Sequence, residues 1–149
     1  MSGTLLNRRL LLALLTGALL APVPALAGET LEFDALYGKI GVLGLEFSAR
    51  TKALAGSVVT MQGFMAPPLK AEAAFFVLTE IPMSLCPFCS SDADWPDNIV
   101  VVYLDARQTF TQPGQRIAVT GTLEVGSWTD PETGFVSLLR LRSASYVLA

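Results

Sequence analysis

The chain has 149 residues, 52% of them apolar, with 10 Lys+Arg, 13 Asp+Glu and no histidine. That length fits one domain. The lack of histidine excludes Ser-His-Asp and Cys-His catalysis and every His-dependent metal site. An acidic balance without a basic cluster argues against nucleic acid or anionic lipid as a partner.

In chain order, the first element is a leader. "MSGTLLNRRL" brings Arg8 and Arg9, an apolar run follows, and Ala25-Leu26-Ala27 is a small-x-small ending. This is the pattern of a secretory signal peptide cleaved after Ala27, which predicts a periplasmic protein. Pro22 and Pro24 interrupt the run, and no second apolar stretch of spanning length follows, so no transmembrane segment is expected in the mature chain. The order Asn7-Arg8-Arg9-Leu10-Leu11-Leu12 also fits a twin-arginine export signal. Twin-arginine and general secretion stand side by side here. The mature chain, residues 28–149, keeps 8 Lys+Arg against 13 Asp+Glu, a net charge of −5.

Residues 31–56 are ambiguous. "SARTKALAG" suggests one or two helical turns ending at Gly56, and the glycines of "YGKIGVLG" weaken a helix there. Five strand signals follow. Residues 57–65 alternate, with Val59, Met61 and Gly63 on one face and Thr60 and Gln62 on the other. Residues 73–81 form a second strand. "NIVVVYL", 98–104, is a continuous run expected of a strand buried on both faces. Residues 115–125 alternate with Ile117, Val119, Gly121, Leu123 and Val125 inward. Residues 134–148 form one long or bent strand. "APPLKAEA", "TQPGQ" and "WTDPETGF" are the connections, the last a hairpin loop on Asp130-Pro131 and Gly134. Asp130 and Glu132 are candidate cation ligands, but a turn role explains them more simply. The pattern predicts an all-β, mainly antiparallel domain. Interior glycines at Gly63 and Gly121 favour a five-stranded OB-like barrel, with a β-sandwich as the alternative.

The chemistry-bearing stretch is "IPMSLCPFCSSDADWPDN", which holds both cysteines as Cys86-Pro87-Phe88-Cys89. Three readings stand. In an oxidising compartment the pair forms a disulfide that locks a local turn, worth ~2 kcal/mol on the loop-closure model. As free thiolates they bind copper(I) or zinc, with Asp92 or Asp94 as a third ligand, although a closed structural zinc site wants four. As a thiol-disulfide oxidoreductase, C-x-x-C needs a helix N-terminus or nearby cations. Here Asp92 and Asp94 follow, Pro96 stops any helix, and no Lys or Arg lies between Lys70 and Arg107. Around this loop, Phe64, Pro67, Pro68, Pro87, Phe88 and Trp95 form a candidate binding rim. Trp95 is either a turn residue packing over the rim or an exposed anchor for a partner.

The stretches "LYGKIGVLGLEFS", "GFMAPPLKAEAAFFVLTEIPMSLCPFC", "DWPDNIVVVYL" and "VTGTLEVG…TDPETGFVSLLRL" together resemble a family of uncharacterised exported bacterial proteins. That family looks OB-like and tends to be encoded beside ABC transporters or metal-uptake systems. The resemblance implies a periplasmic accessory role and no established reaction. It also implies that the strand end Gly63-Phe64…Pro67 and the Cys86/Cys89 loop form one site. The expectation is a non-enzymatic accessory or binding protein of an inner-membrane ABC transport system. Copper or zinc handling through the thiols is the first alternative, and thiol-disulfide exchange the second.

Overall fold

The computed structural model describes residues 28–41, 44–67, 74–83, 95–106, 111–112 and 114–149. Cys86, Cys89, Asp92, Asp94, Pro68, Pro87 and Phe88 lie outside these residues. The strands are β1 (Glu29–Thr30), β2 (Tyr37–Gly41), β3 (Gly44–Phe47), β4 (Val58–Met65), β5 (Phe75–Thr79), β6 (Ile99–Leu104), β7 (Arg116–Thr129) and β8 (Val136–Leu148). A 3₁₀ turn (Phe33–Ala35) follows β1, and the short helix α1 (Ala49–Leu54) precedes β4.

The main sheet runs β1-β4-β5-β6-β8-β7, and β4 pairs β7 as well, so the sheet closes. The meander β4-β5-β6, the parallel β6–β8 pair and the antiparallel returns β8–β7 and β7–β4 give the order of a five-stranded OB-like barrel. Closure rules out the sandwich. It also removes the bare edges that an open sheet of this size would present.

Period-2 patterning builds this wall. In β4, Val59, Met61, Gly63 and Met65 are buried, and in β7 so are Ile117, Val119, Gly121 and Leu123. They meet Phe76, Leu78, Leu139 and Leu141 inside, each such buried side chain worth roughly 1.5–3 kcal/mol. In β6, residues Ile99 to Val102 are all buried, as a strand covered on both faces requires.

Two glycines let the wall close. A Cβ on Gly63 would stand 2.5 Å from the Thr79 carbonyl oxygen. A Cβ on Gly121 would stand 2.9 Å from both the Ala144 Cβ and the Arg142 carbonyl oxygen. Opposite Gly121, β8 carries an extra residue, because Thr120 pairs Ser145 while Thr122 pairs Arg142. Ser143 at φ 46 marks this bulge and bends the strand.

In the segment before β4, α1 is the short helix that "SARTKALAG" suggests, and a small β2–β3 hairpin precedes it. Ser48 caps α1. Its hydroxyl accepts from the Thr51 N–H at 3.0 Å and donates to the Ala35 carbonyl at 2.6 Å. Beyond its C-cap Ala55, the chain turns at Gly56, whose φ of 81 suits glycine and whose N–H donates to the Leu123 carbonyl at 2.8 Å.

Candidate functional site

Two outer regions of the barrel carry clustered polar and aromatic side chains, and they differ in whether anything can enter. The first is the outer face of β5 and β6. Phe75 packs on Tyr103 and on Phe135, with ring centroids 5.1 and 5.4 Å apart. Phe135 comes from the β7–β8 connection, so the hairpin folds back over the face. A bulge at Gly126, with φ 115, falls where β7 gains a residue on β8 and turns Trp128 toward Tyr103. The Arg142 guanidinium lies 4.2 Å from both the Trp128 and Tyr103 ring centroids. Arg140 is buried, with its Nε donating to Glu124 at 2.7 Å and its Nη1 to the Gly126 carbonyl at 2.8 Å and to Ser137.

Glu124 also accepts from Arg142 Nε at 3.1 Å. Burial pushes the Glu124 carboxyl up, but the bonds from Arg142 and Arg140 outweigh it and hold it below its ordinary value. Asp130 behaves the same way. Burial raises it, but bonds from the Thr133 N–H, the Tyr103 hydroxyl, the Thr133 hydroxyl and the Glu132 N–H together outweigh that and hold it below its ordinary value. Tyr103 is raised, first by burial and then by its bond to Asp130. Asp130 is therefore the organiser of the hairpin turn, its oxygens already occupied.

The second region is open. Where the chain leaves β1, it diverges from β4 and frames a cleft of about 330 Å³. Thr30, Leu31, Glu32, Phe33 and Asp34 form one wall, and Gln62, Glu80 and Arg116 the other. Leu31 and Phe33 turn into the core while Glu32 and Asp34 face out. Among the described residues, the Glu32, Asp34 and Glu80 carboxylates form no ion pair with Arg116.

The cleft also marks the root of the cysteine loop. Glu80 lines it, and the Glu80 N–H donates to the Asn98 carbonyl at 3.1 Å, clamping the two stems of the segment that holds Cys86 and Cys89. Phe64, from the expected rim, pairs with both Thr79 and Arg116 beside the cleft, and Pro67 is half-buried just beyond. Trp95 is buried at 6% exposure, and its Nε1 donates to the Tyr37 hydroxyl at 2.7 Å. Its ring packs instead of standing out as an anchor. Among the described residues, no three Cys, Asp or Glu side chains are grouped to hold a metal ion.

No family model and no curated protein matches the chain. Among solved structures, it is similar to a DUF3299 family protein from Pseudomonas aeruginosa PAO1. Identity is 16%, the match covers 83% of this chain and 98% of that one, and the TM-score is 0.51. At that identity the likeness shows the fold alone.

Sequence reasoning did not find the cleft. Its residues come from four separate elements and form no motif. The alternation Thr30, Glu32, Asp34 against Leu31 and Phe33 was the available signal for an outward acidic row beside a buried one.

Proposed function

We propose that the protein is a non-enzymatic binding module of the periplasm, working with an inner-membrane ABC transport system. Its ligand is a small cationic or zwitterionic group, such as the basic end of a short peptide. The observation that carries this reading is the contrast in access. OB folds commonly bind ligands on the face of their second and third strands, between the loops that flank it. Here that face is covered by the protein's own hairpin through Phe135 and Trp128. The open cleft, at the root of the cysteine loop, takes its place. Three carboxylates and one guanidinium suit a dipolar ligand, the amine toward Glu32, Asp34 and Glu80 and the carboxylate toward Arg116. Its volume is near the lower end of small-molecule pockets. The transporter partner rests on the resemblance of residues 63–89.

Calorimetric titration of the mature protein with the dipeptides Lys-Gly and Glu-Gly tests the reading. Lys-Gly binds, Glu-Gly does not, and Asp34→Asn with Glu80→Gln weakens Lys-Gly binding about ten-fold, or ~1.4 kcal/mol. Cys86→Ser with Cys89→Ser leaves binding in place. If binding instead follows the thiols and is restored by copper(I) or zinc, the metal-handling alternative replaces this one.

A further inference from the structure

The first residues after the expected cleavage point are built into the barrel wall. Gly28 is half-buried, and a Cβ there would stand 2.8 Å from both the Val58 carbonyl oxygen and Val59 Cα. Glu29 and Thr30 pair in parallel with Val59 and Thr60. The Leu31 N–H donates to the Thr60 carbonyl at 3.0 Å, and the Leu31 side chain is fully buried. From outside, Arg50 of α1 holds the strand. Its Nη2 donates to the Thr30 carbonyl at 2.8 Å and to the Glu29 carboxylate at 3.1 Å.

A protease takes the residues flanking its scissile bond into its own cleft as an extended, freely accessible segment. Residues held in a sheet are available only when that strand detaches. Detaching β1 breaks its pairing with β4 and brings Leu31 into water, which is unfavourable. Gly28, Glu29 and Thr30 are the three residues that follow the Ala27–Gly28 bond.

We propose that the leader is removed before β1 docks, so that the Ala27–Gly28 bond is cut on a chain whose barrel is not yet complete. Water adds to the Ala27 carbonyl and the C–N bond breaks, leaving a carboxylate on Ala27 and an amine on Gly28. Once β1 is docked, the folded precursor resists this hydrolysis. Of the two export routes the leader fits, threading of an unfolded chain by general secretion is the compatible one. A route that carries folded cargo would present the bond already sealed. The proposal rests on the export reading with cleavage after Ala27.

The test uses the full-length precursor in detergent, treated with a signal peptidase and followed by intact mass. The folded precursor is cleaved about ten-fold or more slowly compared with a precursor kept unfolded by Gly121→Val combined with Leu139→Asp, which adds a charge at a fully buried core position. A Gly-Ser linker of about six residues inserted between Ala27 and Gly28 moves the bond away from β1 and restores fast cleavage on the folded chain. Equal rates for folded and unfolded precursor overturn the proposal, and so does a linker variant that stays slow. A product starting elsewhere than Gly28 overturns the cleavage position, and the proposal with it. In cells, Arg8→Lys with Arg9→Lys leaves export intact, whereas loss of export would assign the folded route and overturn the proposal.

Discussion

The face over β5 and β6 and the cleft beside β1 are built from similar residue types and have opposite properties. Over β5 and β6, each arginine meets a carboxylate, and the aromatic rings interlock around them. In the cleft, three carboxylates and an arginine share a rim, with no ion pair between them among the described residues. The lesson is that charged residues are read by what satisfies them. Paired charges hold a turn and a hairpin in place, and solvated ones at a concave surface are not committed to the fold.

Mutations can sharpen or break that contrast. The largest effect belongs to neither region but to the wall they share. Gly121→Val forces a side chain into Ala144 and the Arg142 carbonyl, and destabilises the barrel by about 3 kcal/mol. Urea unfolding checks it, and an unchanged midpoint would contradict the close approach of β7 and β8. Trp128→Ala removes the ring against which Tyr103 and both arginines pack, at a cost of about 2 kcal/mol in the same assay. Cationic ligand binding should not move, and if it does, the two regions are not separate. Trp95→Phe loses the bond to the Tyr37 hydroxyl, about 1 kcal/mol.

The pH dependence of stability reports on the face over β5 and β6. Asp130 and Glu124 have carboxyls held below their ordinary values, so the folded state binds fewer protons than the unfolded chain. Their contribution is present above the unfolded carboxylate range of about 4 and is lost as pH falls through the lower folded values. Urea midpoints measured across the acid range should therefore fall, and Asp130→Asn should flatten the curve. The smallest stability effect is in the cleft. Arg116→Gln or Asp34→Asn shifts stability by less than about 0.5 kcal/mol while lowering ligand affinity. A large stability loss there would make the cleft structural.

The barrel was legible because its strands follow simple alternation. The inward set of β4 and β7, the doubly buried β6, the bend in β8 and the roles of Gly63 and Gly121 all follow from local pattern and steric need. The β2–β3 hairpin was hidden by the glycines of "YGKIGVLG", which carry little strand preference, and β1 by its two-residue length. The read end of β7 at Val125 stopped at the Gly126 bulge, which breaks the alternation although the strand continues to Thr129. At the site, the sequence pointed to the cysteine loop because two cysteines at close spacing are visible to any reader. The cleft at its root is assembled only by tertiary contact. Trp95 shows the same limit: an aromatic before Pro96 can pack or project, and only the position of Tyr37 decides between them.

The barrel closes through two seams that join distant parts of the chain, β4 with β7 and β6 with β8. Even the Ala149 N–H is engaged, donating to the Arg116 carbonyl at 3.0 Å. A chain arriving N-terminus first can form the β4-β5-β6 meander early, but its β4 edge waits for β7 and its β6 edge stays bare until β8, the last strand, appears. Folding dominated by such distant pairings takes on the order of milliseconds to seconds, so the newly arrived chain spends that interval as a sticky open ribbon. Its exposure to aggregation during that interval is set by strand order more than by final stability.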